Sequence, residues 1–169
     1  MYDDLEQRGE AIAEAPDGAL PTSPVADKTG LSNDYLNHYC EALMLIELAA
    51  FDEGVVADLA GWRPVTYRAY FAASPLRRAD AAIAAYDALP TVQRAAFEEM
   101  IEALDKLTQS AILALQPPCH ASTVALIGEV IGPAIRRLLD QAGAFLNSGG
   151  VAEPRPDIDA QALVDRLIV

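Results

Sequence analysis

Apolar residues recur at helical spacing along most of this chain, and the pattern is densest between Ser32 and Ala50. Set on a helix at about 100° per residue, Tyr35, Leu36, Tyr39, Cys40, Ala42, Leu43, Ile46 and Ala50 form one broad apolar face. Asp34, Asn37, His38 and Glu41 line the other. Further along, Met44, Leu45 and Leu48 take over the polar face, so the second half of this helix is apolar nearly all round and is predicted to be buried on every side. Cys40, on the apolar face, reads as a small buried hydrophobe. Glu47 falls inside the apolar region, where a carboxylate must find a partner, reach the surface or take up a proton.

The rest of the chain reads as further helices separated by breakers. Asp52 is placed to cap a short helix running to about Trp62, and Thr66 to cap TYRAYFAAS. Pro75 suits the first turn of a helix that stops before Pro90. Thr91 opens a long helix whose stripe is Val92, Ala96, Met100, Leu104, Leu107 and Ala111, and Pro117 and Pro118 end it. A last long helix begins at Ser122 or Thr123 and ends at Gly149 and Gly150, with Val124, Ile127, Ile131, Ile135, Leu138, Ala142 and Phe145 facing inward. Pro133 is expected to bend it, and Gly128 with Gly132 to admit a close backbone neighbour. After a short linker, residues 151–158, comes a C-terminal helix capped by Asp157 or Asp159. With only about three turns it must dock on this chain or on a second copy. Before all of these, Asp3 to Glu14 suits a short helix and Ala15 to Gly30 a Pro- and Gly-rich linker, so residues 1–30 are expected to be an acidic segment, partly mobile or draped over the body, preceding a helical domain at 31–169.

Composition supports this and narrows the partners. The chain has 169 residues, 52% hydrophobic and 22% charged, which suits one globular domain with its own core. A net charge of −13 argues against nucleic acid and anionic membrane, both of which need clustered Lys and Arg. Two cysteines do not make a disulfide framework. The N-terminal residues carry acids where a secretory leader needs basic residues, and the longest apolar stretch, His120 to Ile135, is short for a membrane span and interrupted by Glu129 and Pro133. A cytoplasmic location is expected.

Three constellations carry candidate chemistry. Asp34 and Glu41 flank His38 at helical spacing, so the three side chains share a patch with Asn37. That patch suits either a solvated helix face or a ligand pocket reaching to Glu47, with Arg63 or Arg68 as the opposing charge. Metal ligation has weak candidates in His38, Glu41, Cys119 and His120, because residues two apart, such as His38 and Cys40, point to opposite sides of a helix. A phosphotransfer role for His38 is opposed by its two acidic neighbours. The stretch Trp62 to Arg78 gathers Arg63, Arg68, Arg77 and Arg78 with Trp62, Tyr67, Tyr70 and Phe71 and contains no acid. It reads as core aromatics whose arginines neutralise the protein's own acids, Glu47 among them, as arginines beside helix N-termini that hold a carboxylate or phosphate, or as an interface.

No phosphate loop, nucleophile elbow or zinc-protease motif is present, so no cofactor is expected. These residues imply an all-α fold, a compact bundle of four or five main helices with short ones between. Two functions fit it. One is a non-enzymatic interaction or regulatory protein, homodimeric or bound to another protein, using surplus apolar surface on the last two helices. The other is a ligand-binding or enzymatic bundle with a polar pocket around His38 and Glu47.

Overall fold

The computed structural model describes residues 30–155 and 157–168, and all regular structure among them is helical. The expected N-terminal helix and most of the linker fall outside these residues. Ser32 caps the first element by accepting from Asp34 N, and a 3-10 turn, Asn33–Leu36, runs straight into helix α1, Asn37–Leu48. Asp52 accepts from Gly54 N to start a 3-10 turn, Glu53–Val55, followed by the single turn α2, Val56–Leu59. Thr66 caps α3, Tyr67–Ala72, through Ala69 N. Helix α4, Ala79–Asp87, starts four residues later than its proline suggests, because Pro75 sits in the preceding loop. The long helix α5 is Thr91–Ala114.

The last long helix is built in three parts: α6, Ala121–Leu126, a π-helical turn, Ile127–Ile131, and α7, Gly132–Asn147. Pro133 explains the break. It has no N–H to donate, and its ring crowds the carbonyl four residues back, so the chain widens to i→i−5 bonding. Gly132 N accordingly donates to Ile127 O. A Cβ at Gly132 would lie 3.9 Å from Leu43 Cδ1 and 3.7 Å from Glu47 Oε1, so this glycine lets α1 pack close. Gly128 has open space at the same position, so the pair does not form a shared packing seam. Gly150 closes the helix at φ +86. The C-terminal helix α8, Ala160–Ile168, is capped by Asp159 Oδ1 accepting from Ala162 N, and it packs along α5 of its own chain.

One core joins these elements. Tyr35, Tyr39, Leu104, Leu107, Ile131, Ile135, Phe97 and Phe145 are all at most 1% exposed. Helices α1, α5 and α7 pack against one another around them, and α3 and α4 form a pair at one end. Inside the core Thr108 is fully buried, with no hydrogen-bond partner for Oγ1 among the described residues.

Several expectations need correction. Val92 is 80% exposed, and Phe97 and Ile101 take its place in the α5 stripe. The second half of α1 is not covered on every side: Met44 is 53% exposed and Leu48 45%, and Phe51, in the turn beyond, is 90% exposed. Cys40 and Ala50 are exposed as well. The cause is geometric. The core takes the side of α1 that carries Tyr39, Ala42, Leu43 and Ile46, and Cys40, Met44 and Leu48, at spacings of four, form a row on a different side. Among the described residues no helix is long and apolar enough to cross a membrane.

Candidate functional site

The site singled out from sequence is the first half of α1, and its central residue is held by its own chain. The His38 ring stacks on Trp62, with centroids 4.9 Å apart and planes 16° from parallel. His38 Nε2 lies 2.8 Å from the Arg63 carbonyl oxygen. A carbonyl only accepts, so Nε2 carries a proton and donates it. Trp62 Nε1 donates back to His38 O at 3.1 Å. The loop before α3 is thereby fastened to α1 from both directions, and the imidazole is spent on that attachment.

The other residues of the patch point elsewhere. Asp34 accepts from the Ser32 hydroxyl at 3.0 Å, while Asn37 and Glu41 are exposed. Glu47 is half-buried and paired with Arg136 of α7. Neither arginine named from sequence reaches it: Arg63 donates to the carbonyls of Ala60 and Trp62, and Arg68 pairs with Asp87 at 2.7 Å. Asp34 and Arg63 line two different cavities, of about 610 Å³ and about 520 Å³. Among the described residues no three His, Cys, Asp or Glu side chains converge as metal ligands would, so His38, Glu41, Cys119 and His120 are not gathered into one cluster. Cys119 is partly buried, with Sγ 3.7 Å from His120 O. In the stretch Trp62 to Arg78 the aromatics turn inward and the arginines outward. Tyr67 and Phe71 are buried, whereas Arg63, Arg68, Arg77 and Arg78 are exposed.

Sequence reasoning missed a hydroxyl chain beneath this patch. Tyr39 OH donates to Asp105 Oδ1 at 2.7 Å and lies 3.1 Å from Tyr35 OH, which donates to Val65 O at 2.8 Å. Burial raises the pKa of both phenols, so they stay protonated and serve as donors. Burial also raises that of Asp105, against the opposing effects of the Tyr39 hydroxyl and of His38. Tyr67, whose hydroxyl accepts from Ser32 N, is pushed up to about 12, again by burial. Asp105 opens onto a cleft of about 250 Å³ that Tyr35, Val65, Tyr67, Glu98, Ile101 and Glu102 also line. Two of its carboxylates are tied: Glu98 accepts from Tyr86 OH at 2.8 Å and Glu102 pairs with Lys106 at 2.9 Å. The only linear hint of this arrangement was an acid, Asp105, set between Leu104 and Leu107 of the α5 stripe.

The exposed row on α1 is the second feature. Cys40, Met44 and Leu48 succeed one another at one-turn intervals, and Phe51 follows. Helix α7 runs antiparallel along one edge, with Gly132 beside Leu43 and Glu47, Arg136 paired to Glu47 and Gly143 beside Leu36. The Cys40 thiol pKa is raised by burial, and the charges acting on it are those of Arg136, which lowers it, and Asp140, which raises it. The chain matches no family model, no curated protein and no solved structure.

Proposed function

We propose that this protein is a helical interaction module that works by docking another polypeptide on the exposed face of α1, and not by turning over a small substrate. The observation that carries this reading is the contrast along one helix. The polar groups that would make a pocket are engaged within the chain, His38 by Trp62 and the Arg63 carbonyl and Glu47 by Arg136. The apolar side chains Met44, Leu48 and Phe51 are left in water. Isolated exposed hydrophobes are ordinary, but a row of them along one helix and the turn that follows it is what docking surfaces present. A net charge of −13 makes nucleic acids and anionic membranes poor partners and leaves protein surfaces as the fitting class.

Native mass spectrometry of the untagged protein, followed by the denatured sample, tests this. The expected spectrum contains polypeptide masses alone, in free and associated forms. A bound small mass that is released on denaturation would overturn the reading and transfer attention to the cleft at Asp105.

A further inference from the structure

We infer that the occupant of the exposed α1 face is a second copy of this chain, paired antiparallel across a twofold axis at Met44. The inference rests on the interaction reading above and names the partner.

Area is the first argument. Aromatic side chains present roughly 150–250 Å² each; with the same range taken for Met and Leu, exposures of 53% for Met44, 45% for Leu48 and 90% for Phe51 leave about 280–470 Å² of apolar surface per copy. A standard interface buries about 800 Å² per partner, a little over half of it apolar. The row therefore supplies most of the apolar area that one side of a small dimer needs. It also runs along about 12 Å of helix from Cys40 to Leu48, with Phe51 in the turn beyond, the shape a facing helix covers.

Charge decides the orientation. A parallel pair would set Glu41 of one copy beside Asp140 of the other, carboxylate against carboxylate. An antiparallel pair reverses the α7 edge, so that Asp140 of the second copy lies next to Arg136. Arg136 is exposed and uses one nitrogen on Glu47, which leaves further N–H groups directed outward. Antiparallel packing also opposes the two helix dipoles favourably. In this arrangement Met44 meets its own copy and Cys40 faces Leu48, because each pair of positions averages to 44. The interface is isologous and closes as a dimer.

The experiment is sedimentation equilibrium on the full chain from about 1 to about 500 µM, for the natural sequence, Met44→Asp and Leu113→Asp, with circular dichroism confirming that each variant is folded. Leu113 is 74% exposed and lies on α5, not on α1. The expected result is a monomer–dimer equilibrium that Met44→Asp weakens at least about tenfold and Leu113→Asp leaves in place. A dimer equally strong in Met44→Asp would overturn the pairing. If the natural chain stays monomeric throughout, iodoacetamide labelling of Cys40 in intact cells separates the two claims. Protection of Cys40 there would overturn self-pairing alone, and labelling as fast as in the purified protein would overturn the interaction reading with it.

Discussion

Replacing Glu47 with leucine separates a pocket carboxylate from a peripheral ion pair. Glu47 is 42% exposed at its side chain and Arg136 58%, so solvent screens the pair and its contribution is below about 1 kcal/mol. Arg136 stays hydrated when its partner is removed, and the cost of orphaning a buried charge does not arise. Leucine and glutamate have nearly equal helix propensity. The new side chain would lie over Gly132 and Leu43, and covering about half of it is worth about 1 kcal/mol. The balance for Glu47→Leu falls within about 1 kcal/mol of zero, measured as the shift in urea midpoint at unchanged slope, at micromolar protein. A loss of about 3 kcal/mol, the usual result of breaking a buried pair, would refute this placement of Glu47. The same substitution enlarges the apolar row and frees Arg136 for Asp140 of a second copy, so dimerisation should tighten; weakening would contradict the pairing.

Three other perturbations probe the body of the fold. Gly150 sits at φ +86, and a Cβ there would lie 2.7 Å from Leu89 Cδ2, so Gly150→Ala combines left-handed strain with overpacking and should cost about 2–4 kcal/mol by urea unfolding. Thr108→Val keeps the shape of a fully buried side chain and removes a hydroxyl with no partner among the described residues, so it should stabilise by about 1–2 kcal/mol in the same assay. Asp105 has a folded pKa raised above its unfolded value, so its charge opposes folding as pH rises from the ordinary Asp value through the folded one. Asp105→Asn should match the natural chain in melting temperature at about pH 3 and gain on it toward neutrality; an advantage confined to acid pH would show the sign to be wrong.

The helices were legible because their signals are local. Asp52 and Thr66 cap where their spacing says they should, and the paired glycines after Asn147 end α7. The π turn before Pro133 is the form taken by the expected bend. What sequence left open depends on which faces meet. Periodicity marked Cys40, Met44 and Leu48 as apolar, yet no local rule states which apolar side a neighbour will cover, and here α5 and α7 cover the other one. Glu47 finds Arg136, 89 residues away, in place of the nearer Arg63 or Arg68. The Tyr35–Tyr39–Asp105 chain likewise joins α5 to α1 across 66 residues, and each phenol alone looks like ordinary core. Candidate polar residues could be identified along the chain, but which of them are engaged internally is settled only by packing.

The central claim is that the exposed α1 face pairs with itself around Met44, and disulfide trapping tests it most directly. Helices that pack at about 8–10 Å bring residues on the twofold within disulfide reach. Cys40 and its copy would be offset by eight residues, about 12 Å along the axis. Under mild oxidation Met44→Cys should form a covalent dimer through the introduced thiol, while the natural chain, with Cys40 alone on this face, should not. Failure of Met44→Cys to cross-link, or faster cross-linking through Cys40 in the natural chain, would contradict the account.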